Sequence, residues 1–171
     1  MIVRLMFGLT LRQWNAVGAL ACAAMMAFAL YAQYVLHLVP CNMCVLQRIA
    51  VCSLGMVFLL AAVVPCKVWV ARVSAGVIGL TASAGVAVAL RHVWMQAQPL
   101  GSLPSCGADF YSLVDIFGFY EAVTRVLAGG GDCQAINWTL LGFTMPLWVS
   151  LALAALGVSG VLINLSLART R

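Results

Sequence analysis

Cys41 and Cys44, separated by Asn42 and Met43, stand in a short gap between two long apolar segments, and Arg48 follows one helical turn later. Thiols at this spacing interconvert between dithiol and disulfide, with the thiolate as nucleophile. Pro40 holds Val39 extended and opposes helix before it. A helix is therefore expected to open at the motif, with Asn42 as N-cap and Cys44 in the first turn. There a thiol meets unpaired amides and the positive end of the helix dipole. Arg48, at i+4 from Cys44, shares its helix face. Snorkelling to the headgroups is the plain alternative for this side chain, but a charge so close to lipid is costly and commonly tied to function. Two thiols and a cation where water meets lipid point to electron transfer between a protein disulfide and a lipid-soluble carrier. Gln33 and Gln47 are further polar groups at this edge, and Gln47, beside Arg48, is the better binding candidate.

The elements that must position these groups follow from composition. The 171 residues are 65% hydrophobic and 8% charged, with a mean hydropathy of +1.09, which is the signature of a membrane protein. A helical span takes roughly 20 mostly apolar residues, and four stretches qualify, at 14–36, 45–64, 68–90 and 140–165. The expected fold is all-α, a four-transmembrane-helix bundle forming one integral-membrane domain over 1–171. Its first outer loop is short (37–44) and its second long (91–139). Arg4, Arg12, Lys67, Arg72, Arg169 and Arg171 gather at the termini and the second turn, whereas all four acids, Asp109, Asp115, Glu121 and Asp132, fall in the long loop. This bias predicts cytoplasmic termini and places loops 37–44 and 91–139 on the opposite, periplasmic side. The net charge of +5 is anchoring rather than a nucleic-acid footprint, since no basic run exists to track phosphates. Trp14 and Trp69 at one face, with Trp94 and Trp138 at the other, suit aromatic belts. A cleaved signal peptide ending at Ala27-Phe28-Ala29 is the alternative for the first span; the apolar run continues through Leu36, which favours retention.

The seven cysteines sort by place. Cys22 and Cys52 lie within spans and Cys66 at the cytoplasmic turn, where free cysteine packs as a small hydrophobe. Cys41, Cys44, Cys106 and Cys133 all map to the outer side, and an even number of thiols in an oxidising compartment reads as two disulfides. Sequence permits three pairings; adjacency favours Cys41–Cys44, which leaves Cys106 and Cys133 in the long loop. Haem attachment would need His after Cys44, where Val45 stands. A zinc site would need four convergent ligands, and the two cysteine pairs lack matching spacing. Between the loop cysteines, apolar residues from Phe110 to Leu127 recur at helical spacing, with Glu121 and Arg125 as an i,i+4 pair. This segment is either an interfacial helix or a lid packed on the bundle, and Gly118 weakens it as a helix. Gly129-Gly130-Gly131 frees the chain before Cys133, while Asp132 opposes a Cys133 thiolate.

Taken in order, these residues resemble the DsbB family of bacterial inner-membrane disulfide-generating proteins. The likeness is carried by Pro40-Cys41 through Cys44 with Gln47-Arg48, by His92 and Gln96, and by Pro104-Ser105-Cys106-Gly107. It continues through Gly129 to Cys133, then Trp138, Leu141-Gly142, Met145-Pro146 and Trp148, and so covers nearly the whole chain. The resemblance implies a protein dithiol:quinone oxidoreductase. A Cys106–Cys133 disulfide would oxidise a DsbA-like periplasmic thiol oxidase, with Cys106 forming the mixed disulfide. Electrons would pass through Cys133 and Cys41 to the Cys41–Cys44 pair, and Cys44, assisted by Arg48, would meet ubiquinone, or menaquinone in anaerobic growth. Neither a metal nor a nucleic acid is implied. The rival readings are a vitamin K epoxide reductase-like enzyme, whose thiol pair usually sits late in the bundle, a Cys/Met metal-binding membrane protein using Met25-Met26 and His37, and a noncatalytic tetraspan with stapled loops.

Overall fold

The computed structural model describes residues 9–65, 67–99, 101–103, 108–130, 133–136 and 138–169, without the side chains of 167–169. Arg4, Cys66, the Pro104-Ser105-Cys106-Gly107 motif, Gly131, Asp132 and Arg171 lie outside these residues. Among the described residues the elements are α1 (Leu11–Tyr34), α2 (Asn42–Val63), α3 (Val68–Gln96), α4 (Phe110–Phe117), α5 (Phe119–Ala128), β1 (Thr139–Leu140), β2 (Phe143–Thr144) and α6 (Met145–Arg169). Helices α1, α2, α3 and α6 are each long and apolar enough to cross a membrane, so the chain is an all-α, multi-pass membrane bundle.

The helix ends obey local chemistry. Thr10 caps α1 through a capping box with Gln13, which starts that helix three residues before the expected 14. Arg12 reaches across to donate to the Ala62 and Val63 carbonyls, 2.9 and 3.3 Å away, satisfying the end of α2. The third helix has 29 residues, about 43 Å at 1.5 Å per residue, against a hydrocarbon layer of about 30 Å. It runs six residues beyond the expected end at 90, and its last turns carry Arg91, His92 and Gln96. The fourth span begins at Met145 rather than 140, because Thr139–Leu140 and Phe143–Thr144 pair as a small antiparallel hairpin. Trp148 Nε1 donates back to the Leu140 carbonyl at 3.1 Å.

In the bundle, α3 packs most extensively on α6, α1 on α2, and α2 on α3. The middle is filled by Cys22, Val51, Leu54, Phe58, Ile78, Ala82 and Leu153, while Cys52 is exposed. The α3 stripe facing inward, Ala71, Ala75, Ile78, Ala82, Gly85, Ala89, His92 and Met95, advances by three or four residues each time. Small residues let backbones approach, which is how helices associate when lipid supplies no hydrophobic drive. Buried Asn15 and Asn164 close α1 onto α6 by donating to each other at 3.3 and 3.0 Å.

The long loop forms two helices, not one, broken at Gly118, whose φ of 81° suits glycine. Phe110 and Leu113 from α4, with Ala122 and Val126 from α5, bury against Met43, Leu46 and Met95 at the bundle end. Tyr111, Ile116, Phe119 and Tyr120 are exposed on the other side. The segment thus packs as a lid on the bundle end and at the same time presents the apolar outer face that an interfacial helix needs. Arg125 Nε pairs with Glu121 at 3.1 Å, as the spacing predicts. Asp109 caps α4, and the Ser112 hydroxyl holds its carboxyl below the usual range.

The tightest crossing gives a test. A Cβ added at Gly157 would lie 2.5 Å from the Ala82 Cβ, and neither backbone can yield cheaply. Gly157→Ala should cost about 1–3 kcal/mol, read as a lower thermal midpoint in detergent; an unchanged midpoint would mean that the α3–α6 crossing is looser than described.

Candidate functional site

Chain geometry at the motif makes Cys41, not Asn42, the N-cap of α2: the Cys44 amide donates to Cys41 Sγ at 3.4 Å. Asn42 is drawn elsewhere, its Nδ2 donating to the Ala108 carbonyl at 3.1 Å and tying the motif to the long loop. Cys44 therefore sits in the first turn, as expected, with its sulfur 3.0 Å from Cys41 Sγ.

Cys133 comes to the same place from the far side of the long loop. It is buried, and its sulfur, Cys41 Sγ and a ring nitrogen of His92 all lie within 4.8 Å of one another. Two anchors hold the loop there. Arg91 donates to the Leu127 and Ala128 carbonyls at 3.1 and 3.2 Å, closing the end of α5. Gln134, 3% exposed, donates to the Pro99 carbonyl at 2.7 Å and accepts from the Gly101 amide at 3.1 Å. The Cys41 thiol is pushed well above its ordinary range, first by its hydrogen bond with Cys133, then by that with Cys44, and then by burial.

His92 is 2% exposed and bridges the two helices: Nδ1 lies 3.0 Å from Gln47 Nε2, and Nε2 lies 3.6 Å from Cys41 Sγ. Its buried position fits the inward stripe of α3, so an ionisable residue on a bundle-facing stripe was the available signal, one hidden by ending the span at 90. Arg48 turns toward α1, donating to Gln33 Oε1 and, at 3.1 Å, to the Ala29 carbonyl. A cavity of about 660 Å³ lies beside these groups, lined by Cys41, Cys44, Gln47, Arg48, His92 and Gln96 together with apolar residues such as Met25, Val51 and Pro146. Gln96 Oε1 is buried without a hydrogen-bond partner, the kind of acceptor that a ligand hydroxyl can satisfy. Of the expected site residues, Cys41, Cys44, Cys133, Arg48 and Gln47 thus converge, and Cys106 lies outside the described residues.

Two half-buried thiols and a buried one, closely spaced beside an imidazole, an arginine and an apolar cavity, support thiol exchange next to a site for a membrane-soluble molecule. Comparison with known proteins bears on the thiol part of this reading. Residues 11–163 match the family model of Disulfide bond formation protein DsbB. The chain is 41% identical over 157 residues to Disulfide bond formation protein B of Chromohalobacter salexigens, covering 91% of each chain. It is 41% identical over 146 residues to the protein of that name from Chromobacterium violaceum, covering 85% of this chain and 88% of the relative. For the one from Verminephrobacter eiseniae the identity is 42% over 149 residues, covering 87% and 83%. The chain belongs to the DsbB family of disulfide bond formation proteins.

The raised Cys41 thiol makes a pH-dependent prediction. A raised pKa means less thiolate at a given pH, so iodoacetamide should label Cys41 of the reduced protein slowly near pH 8 and faster as pH climbs. Cys133→Ala removes the largest raising contact and should move this profile to lower pH; labelling followed by mass spectrometry tests it, and an unmoved profile would contradict the Cys41–Cys133 contact.

Proposed function

We propose that the protein is a thiol:quinone oxidoreductase of the bacterial inner membrane, with both termini cytoplasmic and its redox cysteines periplasmic. It reoxidises a DsbA-like periplasmic dithiol protein. In this reading the Cys106–Cys133 disulfide is attacked at Cys106 by a thiolate of the partner, and Cys133 leaves with the electron pair. Cys133 then attacks Cys41 of the Cys41–Cys44 disulfide; a Cys41–Cys133 bond forms, and Cys44 leaves as thiolate. Once the partner's second thiol has closed its own disulfide and freed Cys106, attack of Cys106 on Cys133 restores the loop disulfide and releases Cys41.

The observation that carries the reading is the shared neighbourhood of Cys133, Cys41 and Cys44 beside an apolar cavity that Arg48 also lines. A bound quinone, ubiquinone or menaquinone, supplies a two-electron acceptor. Cys44, Arg48, Gln47 and Gln96 would hold its polar head, and the apolar wall would take its ring and tail. The polar groups fit: a guanidinium can donate to a quinone carbonyl, and the unpartnered Gln96 amide oxygen can accept from a hydroxyl of the reduced, hydroquinone form. Arg48 also favours negative charge at Cys44 without leaving the bundle, since Gln33 and Ala29 fix its position. The Cys44 thiolate gains further from the helix N-terminus in which it lies.

Purified protein given a reduced DsbA-like protein and ubiquinone should oxidise the dithiol while quinone absorbance falls; dithiol oxidation that never depends on quinone would defeat the reading. Cys44→Ser should abolish quinone reduction, and full activity would remove its role. Arg48→Met should raise the KM for quinone about tenfold, the size of one lost charge-assisted hydrogen bond, in a bundle that still folds. Unaltered quinone kinetics would reduce Arg48 to a helix-packing role.

A further inference from the structure

We propose that His92 is a catalytic residue of the thiol exchange itself, donating a hydrogen bond from Nε2 to the Cys41 sulfur as the Cys41–Cys133 bond opens. The assignment rests on the relay described above and adds to it a group that stabilises the departing thiolate.

When Cys106 attacks Cys133, a new Cys106–Cys133 bond forms, the Cys41–Cys133 bond breaks, and Cys41 departs with the electron pair. That charge appears at a half-buried sulfur beside two other sulfurs, surroundings that disfavour a thiolate. Rate in such exchange depends on how well the leaving sulfur carries charge. Arg48 is committed to α1 through Gln33 and Ala29. Among the described residues, and with Cys133 itself a reacting sulfur, the group beside Cys41 from outside its own helix is His92, whose Nε2 lies 3.6 Å from Cys41 Sγ, within reach for a donor to sulfur.

Its tautomer is set by the other ring nitrogen. Gln47 Nε2 is an amide nitrogen that only donates, so Nδ1, 3.0 Å away, accepts and the proton resides on Nε2. A ring nitrogen lies within 4.8 Å of the Cys133 sulfur as well as of Cys41, which sets the ring against both partners of the bond being broken. Burial at 2% exposure keeps competing water from the donor. Gln47 is on this argument a positioning residue, acting on Cys41 through His92.

The test isolates this step from quinone and from the partner protein. A Cys44→Ser/Cys106→Ser variant, freed of quinone, is oxidised to its Cys41–Cys133 disulfide and opened with 2-mercaptoethanol at pH 7, and each cysteine is then located by alkylation and mass spectrometry. Opening should place the mixed disulfide on Cys133 and free Cys41. His92→Leu should slow it about tenfold, as expected for losing one hydrogen bond to a charged group. His92→Gln, which offers an amide N–H in the same region, should recover to within about threefold of the parent. Equal rates for His92→Leu and the parent would overturn the assignment, as would His92→Gln being as slow as His92→Leu, which would show that packing matters and the donor does not. A parent variant that forms no Cys41–Cys133 disulfide would overturn the relay reading and the assignment together.

Discussion

One sulfur atom, that of Cys41, organises this end of the molecule. It accepts the Cys44 amide and so begins a membrane-crossing helix, and it also contacts Cys44, His92 and Cys133. A helix start leaves amides without partners, and lipid offers none in exchange. Capping by a thiol side chain fixes both sulfurs of the motif to the helix start. The cap frees Asn42 to bond the long loop at Ala108, so the same local choice docks the lid. Displacing Cys41 would disturb the start of α2, the Asn42 tether and the environment of Cys133 together.

The remaining polar groups of the bundle follow the same economy. Among the described residues no carboxylate pairs with Arg48; it gives its hydrogen bonds to an amide oxygen and a backbone carbonyl of α1. Arg12 and Arg91 do likewise at the ends of α2 and α5. Carbonyls at helix ends are orphan acceptors carrying the negative end of the dipole, so a cation placed there satisfies both needs at once. The described residues hold one ion pair, the exposed Glu121–Arg125. Buried salt bridges would have cost heavy desolvation in this setting. Arginine spent on helix ends avoids that cost and sets how neighbouring helices lie.

Much of this was legible in the sequence because hydrophobic length and charge bias are strong signals in membrane proteins. The four spans and the i+4 placement of Arg48 after Cys44 follow from spacing alone. Other features depended on partners far away in the chain. Asn42 has the better intrinsic preference for an N-cap, yet Ala108 claims its side chain, and the cap passes to a sulfur. His92 reads as a loop residue if the third span stops where hydropathy weakens, since a helix may continue past the hydrocarbon while packing on its neighbours. Asn15 and Asn164 are each unremarkable alone, and only folding brings them together across the bundle. Gly118 was visible as a weak point of the loop helix, but a positive φ that divides it in two is a property of the docked lid.

The position of Cys133 carries the last step. It is absent from the residues lining the cavity, whereas Cys41 and Cys44 both line it, and Cys41 alone of those two shares the cluster with Cys133 and His92. The motif therefore faces two environments: a protein-filled side, closed by the lid and the Gln134 and Arg91 anchors, and an apolar side open to a membrane-soluble molecule. In the proposed relay this separation is what prevents a short circuit. A thiol from the periplasm that met the cavity directly would bypass the loop disulfide, and a lipid-soluble acceptor that met Cys133 would oxidise it without passing through Cys44. A Cys-x-x-Cys at a helix start suits such a partition because the N-cap and the residue three positions on share one helix face with their sulfurs in contact, while Cys41 alone of the two belongs to the Cys133–His92 cluster.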